Sequence, residues 1–467
     1  MLIQLTVENI LSFKTAVTFS MLAINSDSSH RKRLAVDEAG KDRSVLPIAA
    51  IYGANAAGKS NLIRAIAFAR DLVVEGTRSN QLIPINVFRL ANSNQTPSKF
   101  EFKFTYKKAF YSYGFTLNSK QILEEWLYGI PQGKKMEVLF FERSTAKNGA
   151  VKVEYGASLR GRKNGSRESF LNFIAKGTRP NQLFLTEAVD RNVKNLVDVL
   201  KWFDDSLIII PAEARCIGLE FGIMHDKEFT QFLSDFLKSS GTGIDSIEVD
   251  EVTLDLDELP DSITRELRQQ FAEADEDSVM MVENVYGNRY FLAKGERDNI
   301  SLMQIKTNHL HENGKLMKFS IDEESDGTQR LINLIPALFI LHYDSEKVIL
   351  LDELDRRLHP LLSRQFLDFY LQYMSNRNNN QIIFTTHDTN LLNLELLRRD
   401  EIWFVEKDKE GSSNLYSLAE FRIRPDLKIG KGYLNGRFGA IPFFGNIERL
   451  GWFKSEVDDT LSPSPVA

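Results

Sequence analysis

The chain has 467 residues, of which 43% are hydrophobic and 26% are charged, proportions typical of a soluble globular protein with more than one domain. Its single cysteine, Cys216, excludes a disulfide framework and any all-cysteine metal site. The formal net charge of -6 argues against general coating of nucleic acid and leaves room only for a local basic surface.

We expect no targeting or membrane segment in this sequence. Met1 is followed at once by strand-like residues, without the basic region and apolar core of a signal peptide. The most apolar long stretch, 331–341, is shorter than the roughly 20 helical residues that cross a bilayer. We therefore expect a cytoplasmic protein with no membrane partner, in which this stretch forms a buried helix.

The first part of the chain alternates apolar and polar residues as strands do. A helix is expected where apolar residues recur on one face after a glycine-rich loop. In chain order, the predicted elements are a hairpin over 4–19 with its turn at 12–14, a strand over 45–52, a helix over 59–74, and a second hairpin over 99–117 turning at Lys107 and Lys108.

The glycine-rich loop fits the phosphate-binding pattern G-x-x-x-x-G-K-[ST] at every defined position. Its glycines let backbone N–H groups surround a phosphate, and the following helix directs its positive end there. Lys59 would reach the β- and γ-phosphates of ATP, and the Ser60 hydroxyl would bind Mg²⁺. The residues expected to contact nucleotide are Gly53, Asn55, Ala57, Gly58, Lys59, Ser60 and Asn61.

The middle of the chain, from about residue 130, has a different pattern and no sustained heptads, so a long coiled coil is not expected. Helical periodicity covers 169–203 and 227–237, whereas 245–277 is strongly acidic and is interpreted as a solvated surface. A basic stretch that could contact phosphates or lie in a solvated loop contains Arg160, Arg162, Lys163, Arg167, Lys176 and Arg179.

The last third alternates helices and strands, which predicts a parallel sheet. The expected elements are a helix over 327–343, a strand over 347–351, a helix over 360–374, a strand over 381–386, a helix over 388–397 and a strand over 401–406.

Two of these strands end in candidate catalytic residues. The apolar strand 347–351 ends in Asp352 and Glu353, and buried acids at a strand end are costly unless a cation or bound water compensates them. Asp352 would bind Mg²⁺, and Glu353 would polarise the attacking water. The next strand ends at His387, which could stabilise the γ-phosphate oxygens.

The separation of Lys59 from Asp352 is far longer than in RecA-like and AAA+ motors, which indicates a nucleotide fold split by a large insertion. Ser325 can cap the helix that precedes the second half, and Gly327 permits a close backbone approach. This stretch, 324–330, stands where ABC ATPases carry their signature loop.

Together these motifs resemble the ABC-type ATPases of the SMC/RecF/OLD group. The opening stretch 5–13, the loop 358–360 and the ending 432–442 make the chain similar to stand-alone ATPases of bacterial abortive-infection and anti-phage systems, the PARIS AriA and AbiL types. The resemblance implies an α/β P-loop NTPase of the ABC/SMC-head type. Its expected divisions are a first ATPase half (1–128), a mainly helical insertion with some strands (129–316), a second ATPase half (317–455) and a flexible tail (456–467).

The resemblance also implies a head-to-tail homodimer, or a higher oligomer, closed around ATP and Mg²⁺. Ser325, Gly327 and Gln329 of one subunit would cover the nucleotide of another, and hydrolysis would open the dimer. OLD-type nucleases continue into a metal-dependent nuclease domain, which we do not expect here because the residues after the last predicted strand are few and lack acidic clusters. We therefore expect a separate effector, a nuclease or toxin, controlled by the ATPase in response to a phage protein trigger.

Three questions stay open at the level of sequence. A RecF/SMC-like repair clamp that binds DNA directly is an alternative function, as is a nucleotide-gated scaffold whose slow hydrolysis is incidental. The glutamine that usually completes the Mg²⁺ shell of such ATPases is not identified, because Gln81 and Gln95 both lie at a suitable distance downstream of the phosphate loop.

Overall fold

The computed structural model describes residues 1–37, 43–91, 96–213, 216, 218–253, 265, 271, 279–283, 289–294, 300–375, 378–422 and 428–441. These residues form a seven-stranded antiparallel sheet, a six-stranded mainly parallel sheet, a five-stranded antiparallel sheet and a two-stranded ribbon. Among the described residues, no helix is both long and apolar enough to cross a membrane.

The strands are β1 (Leu2–Glu8), β2 (Val17–Ser20), β3 (Ala35–Asp37), β4 (Arg43–Val45), β5 (Ile48–Gly53), β6 (Ser98–Tyr106), β7 (Ala109–Leu117), β8 (Ile122–Ile130), β9 (Val138–Thr145), β10 (Val151–Tyr155), β11 (Leu207–Ile210), β12 (Ile244–Thr253), β13 (Val279–Glu283), β14 (Arg289–Lys294), β15 (Ile300–Leu310), β16 (Leu316–Ser320), β17 (Val348–Leu351), β18 (Gln381–Thr385), β19 (Ile402–Lys407) and β20 (Ser413–Ser417). The described α-helices are α1 (Lys59–Val74), α2 (Ala157–Arg160), α3 (Ser166–Gly177), α4 (Phe184–Asp190), α5 (Val197–Lys201), α6 (Leu219–His225), α7 (Lys227–Ser239), α8 (Asp326–Tyr343), α9 (Pro360–Tyr373) and α10 (Ile429–Leu434).

The antiparallel sheet at the start of the chain has the order β10-β9-β8-β7-β6-β1-β2. Both predicted hairpins are confirmed, since β1 pairs with β2 and β6 pairs with β7. The second hairpin turns tightly because Lys107 and Lys108 both adopt left-handed backbone angles, with φ of 48° and 60°.

Strand β6 shows why this sheet packs on one face. Phe100, Phe102 and Phe104 alternate along the strand and are fully buried. Phe104 stacks on the ring of Trp202 with a centroid distance of 4.0 Å, and Phe102 meets Phe203 edge-on. These aromatic contacts attach the sheet to the segment that leads into β11, the edge strand of the parallel sheet.

The parallel sheet has the order β11-β17-β18-β5-β19-β20, in which only the last pair is antiparallel. Strand β5, which leads into the phosphate loop, lies between β18 and β19, and β17 lies one strand further on. Because these strands are parallel, their carboxyl ends meet at one edge of the sheet. This edge is where the candidate residues of both halves of the chain come together.

Both faces of the parallel sheet are covered, as the nearly continuous apolar runs of its strands predict. On β5, Ala49 and Ile51 pack with α1 and the antiparallel sheet, whereas Ile48, Ala50 and Tyr52 pack with α8 and α9. The phosphate loop therefore starts from a strand fixed on two sides by hydrophobic cores.

The segment predicted as an insertion, 129–316, contributes strands to the three larger sheets. Strands β9 and β10 extend the first antiparallel sheet, β11 is the edge of the parallel sheet, and β12 to β15 build the third sheet. The acidic stretch 245–277 lies partly, and the tail 456–467 and Pro442 lie wholly, outside the described residues.

One predicted element of the last third is wrong. Residues 388–397 do not form a helix; a single 3₁₀ turn over Thr389–Leu391 is followed by turns. The Asp388 carboxylate accepts the backbone N–H of Asn390 at 2.8 Å, and the Asn393 side chain accepts that of Glu395 at 2.9 Å. Such local bonds compete with helical ones, which an apolar pattern alone does not reveal.

Candidate nucleotide site

The phosphate loop joins β5 to α1, and Lys59 is the first residue of that helix. Its side chain is 5% exposed, and its ammonium group donates to the carbonyls of Gly53 at 2.9 Å and Ala54 at 3.2 Å. The loop bends through left-handed angles at Ala56 (φ 61°) and Gly58 (φ 120°). The lysine thus lies folded over its own loop, where phosphate oxygens of a nucleotide can replace the carbonyls as acceptors.

Two serines from distant parts of the chain support this loop from behind. The Ser413 hydroxyl donates to the Ala57 carbonyl at 2.5 Å and bonds to the Ser12 hydroxyl at 2.8 Å. Asn61 donates its amide to Ser12 at 2.9 Å. Because Ser413 is fully buried, these bonds fix the loop from its protein side. Asn61 therefore contacts the support of the loop, whereas Asn55 is exposed at its tip.

The Asp352 carboxylate joins the two halves of the chain. Its Oδ1 accepts hydrogen bonds from the Ser60 hydroxyl at 3.1 Å and the Thr385 hydroxyl at 2.6 Å. A serine hydroxyl and a carboxylate side by side are the hard oxygen ligands that Mg²⁺ prefers, so this donor set fits the ion. Thr385 also accepts the backbone N–H of Glu353 at 2.7 Å and so connects both acids to strand β18.

Glu353 has an unusual backbone for a residue with a side chain, with φ at 50°. Its N–H is held by Thr385, and its carbonyl accepts from Arg330 at 3.3 Å. The half-buried carboxylate has Arg356 at 3.5 Å. A left-handed conformation fixed on both sides is typical of a functional position, because it aims the side chain away from the strand direction.

His387 follows β18 at the same edge. Its backbone N–H donates to the carboxylate of Asp355 at 3.2 Å. Partial burial and the nearby charge of Lys59 lower the pKa of the imidazole, opposed by Asp355 and Glu353. The ring is therefore mainly neutral at pH 7 and can donate one hydrogen bond to a phosphate oxygen.

The signature stretch lies apart from the phosphate loop. Ser325 is exposed and caps α8, accepting the backbone N–H of Thr328 at 3.2 Å, while Gln329 donates to the Glu324 carbonyl. Gly327 is close to the Arg357 carbonyl, 2.9 Å from where a Cβ would lie. Within the described part of the chain, none of the three bonds to a residue of the phosphate loop.

The glutamine of the Mg²⁺ shell stays unidentified. Gln81 is exposed, and its backbone carbonyl accepts from Asn181 at 3.0 Å, without a bond to Ser60 or Asp352. Gln95 lies outside the described residues.

Some residues of the site were not assigned a role from sequence. Thr385 and Ser12 belong to stretches that the resemblance covers, and a polar residue at the end of a buried strand is a usable signal for Thr385. Ser413 carries no local signal, because only the pairing of β20 with β19 brings it to the loop. Arg330 looks like an ordinary residue of a helix pattern until its burial is known.

ATP binding should weaken at alkaline pH, because burial changes the pH at which the Lys59 amine loses its charge. Burial lowers the pKa of Lys59 from its ordinary value of 10.5 to about 8, an effect opposed by Glu353 and Asp352. Below pH 8 the amine is charged and attracts phosphate; above it the amine must first take up a proton. We expect ATP affinity to be flat near pH 7 and to fall about tenfold per unit above pH 8. Titrations from pH 7 to 9.5 test this, and Lys59→Arg should remove the fall.

Gly58 should tolerate no side chain. A Cβ at this position would lie 2.3 Å from the Ser413 hydroxyl and 2.8 Å from that of Ser12. We expect Gly58→Ala to displace the loop and to weaken ATP binding by more than about tenfold, at a stability cost of about 1–3 kcal/mol. Gly133→Ala is the control, since Gly133 also has a positive φ but open space around it. Equal nucleotide affinity of the two variants would contradict the packing argument.

Comparison with known proteins identifies a family whose model matches this sequence. The family model described as "AAA domain, putative AbiEii toxin, Type IV TA system" matches residues 48–393, from β5 to beyond His387. No curated protein matches the chain in sequence.

Solved structures similar to the chain include SMC heads. An SMC head bound to the C-terminal winged-helix domain of ScpA has 14% identity and a TM-score of 0.38, with 89% of this chain and 97% of that chain covered. The SMC head domain from Thermotoga maritima has 12% identity and a TM-score of 0.35, with 90% and 99% covered. An SMC head with an extended coiled coil, bound to the C-terminal domain of ScpA derived from Pyrococcus furiosus, has 15% identity and a TM-score of 0.35, with 89% and 96% covered.

Proposed function

Because the chain belongs to this AAA-domain family, whose description names a toxin–antitoxin system, we propose that it is the ATP-binding and hydrolysing regulatory subunit of a bacterial anti-phage, abortive-infection system. The observation that carries the proposal is the meeting of Ser60, Asp352 and Thr385 at one edge of the parallel sheet, beside Lys59. The motifs in sequence support the narrower grouping with stand-alone ATPases of the PARIS AriA and AbiL types.

Each site residue has its own role in ATP hydrolysis. Lys59 and the backbone N–H groups of the loop bind the phosphates of ATP. Ser60 and Asp352 would hold Mg²⁺, which neutralises charge on the phosphates when bound. Glu353 orients and deprotonates the attacking water, and His387 donates a hydrogen bond to the transferred phosphate.

A second copy completes the site in this proposal. Ser325 is exposed at the start of α8 and makes no bond to the phosphate loop of its own chain, so it is available to another subunit. The first turn of α8 offers N–H groups to an anion. Ser325, Gly327 and Gln329 would then cover the nucleotide bound at Lys59 of the partner and make closure depend on ATP.

The proposal extends to partners. Closure and opening of the homodimer, or of a higher oligomer, would hold or release a separate effector nuclease or toxin when a phage protein is sensed. Sedimentation with and without ATP tests the first step, and plating of phage on cells carrying the gene with its genomic neighbours tests the second. A sedimenting mass that does not change with ATP would contradict the proposal. So would protection against phage that Lys59→Ala leaves unaffected.

One surface favours the alternative of a clamp that acts directly on DNA. On α3 and the loop before it, Arg162, Lys163, Arg167 and Lys176 are exposed, and Phe173 on the same helix is 66% exposed. Basic and aromatic side chains together suit a nucleic-acid strand. A clamp would bind DNA tightly only with ATP and with a steep dependence on salt. Weak, ATP-independent binding would leave the regulatory ATPase as the better function.

A further inference from the structure

A pocket of about 290 Å³ lies between the start of α8 and the turn after β17. The charged residues that line it are three arginines and two acids, Arg330, Arg356, Arg357, Glu213 and Asp326. The pocket is separate from the phosphate loop, because no residue from 53–61 lines it. None of the nucleotide contacts proposed above uses its arginines.

Arg330 is the central residue of this pocket. It is 6% exposed, and its Nη2 donates to the carbonyls of Asp352 at 3.2 Å and Glu353 at 3.3 Å. Its Nε and Nη1 are buried and have no hydrogen-bond partner. Across the described ranges, no carboxylate lies within ion-pair distance of Arg330. Glu353, Asp352 and Asp355 act on its charge from beyond that distance, and Arg356 opposes them. A buried guanidinium with two unpartnered N–H donors and no ion pair is costly, and an anion in the pocket would lower that cost.

The other groups of the pocket leave room for such an anion. Arg356 pairs with Glu213 at 2.7 Å, and Arg357 lies 3.5 Å from Asp326, a weak and exposed contact. The amides of Gln329 and Asn333 donate to backbone carbonyls of their own segment. The guanidinium groups of Arg330 and Arg357 are therefore the donors that remain for a ligand.

We propose that this pocket binds a phosphate group through Arg330, with Arg357 at its rim. Guanidinium groups match the oxygens of phosphate with paired hydrogen bonds, and phosphate can accept from more than one arginine at once. The pocket adjoins Ser325 and Gly327, so the phosphate has two possible sources. It is either free inorganic phosphate or the terminal phosphate of ATP held by a second copy, and only the latter rests on the proposed function.

Titration with inorganic phosphate alone tests the site without any ATPase activity. Lys59→Ala is used throughout to remove phosphate binding at the loop. We expect this variant to bind phosphate by calorimetry, and the double variant Lys59→Ala/Arg330→Met to bind at least about tenfold more weakly. Lys59→Ala/Arg364→Met is the matched control, since Arg364 pairs with Asp368 on α9 outside the pocket. Arg357→Gln, at an exposed position, decides the matter if Arg330→Met fails to fold.

A second measurement separates the two sources. Sedimentation with ATP is compared for Glu353→Gln with and without Arg330→Met. Loss of both phosphate binding and ATP-driven association identifies the partner's nucleotide as the source, whereas loss of phosphate binding alone identifies free phosphate. Phosphate binding that is absent in Lys59→Ala, or equal in the Arg330, Arg357 and Arg364 variants, would overturn the proposal. If the chain bound no ATP at all, the proposed function would be wrong, but the phosphate titration would still test the pocket.

Discussion

Replacement of Glu353 by glutamine is expected to stop ATP turnover while leaving ATP binding intact. The amide has the shape of the carboxylate but cannot accept the proton of the attacking water, a loss of about 10²–10⁴-fold in rate. The backbone should keep its left-handed conformation, because the bonds from Thr385 and Arg330 involve only main-chain atoms of Glu353. Phosphate release and nucleotide binding, measured on the same preparation, check the two halves of this expectation.

The same variant should stay associated for longer in ATP than the unmodified chain, because closure is not followed by hydrolysis. Glu395→Gln is a suitable control, since Glu395 is an exposed acid whose nearest bond is to Asn393. If Glu353→Gln and Glu395→Gln turned over ATP at similar rates, Glu353 would not be the residue that activates water. The scaffold alternative, in which hydrolysis is incidental, predicts slow turnover already in the unmodified chain.

The sequence predicted the elements that carry their own local signal. The helix 59–74 and the strands that precede the phosphate loop, Asp352 and His387 combine buried apolar runs with fixed motif spacing, and the α/β class with a split P-loop core is confirmed. These signals are local because strand burial and loop geometry depend on neighbouring residues. Their meeting at one sheet edge follows from parallel pairing, which needs no knowledge of side-chain packing.

The parts that escaped prediction depend on contacts between distant residues. Ser12 and Ser413, which support the loop together, are 401 positions apart, and either one alone is an unremarkable surface-type residue. Residues 388–397 have a helix-like apolar pattern that two side-chain-to-backbone bonds override. The role of 129–316 in three sheets was hidden because strand order is set by packing rather than by sequence period.

Of these substitutions, Lys59→Ala should have the largest effect on nucleotide affinity. It should weaken ATP binding by more than about a hundredfold, because it removes charge-assisted hydrogen bonds of about 1.5–3 kcal/mol each. The amine also lies beside the carboxylates of Glu353 and Asp352, so its loss leaves the site with an excess of negative charge that repels phosphate. Lys59→Arg should recover part of the affinity but not the geometry, because a planar guanidinium presents its donors differently from a compact ammonium group.

The fold should survive this change, so that a loss of ATP binding can be assigned to the site and not to unfolding. Among the described residues, the Lys59 ammonium bonds only to carbonyls of its own loop, so Lys59→Ala should lower the free energy of unfolding by no more than about 1–3 kcal/mol. Lys152→Ala is the control, because Lys152 is exposed and pairs with the exposed Glu154, away from the nucleotide site. Fluorescent-nucleotide titration and thermal unfolding of both variants separate binding from stability. An unfolded Lys59→Ala, or one that binds ATP as tightly as Lys152→Ala, would show that this loop does not hold the phosphates.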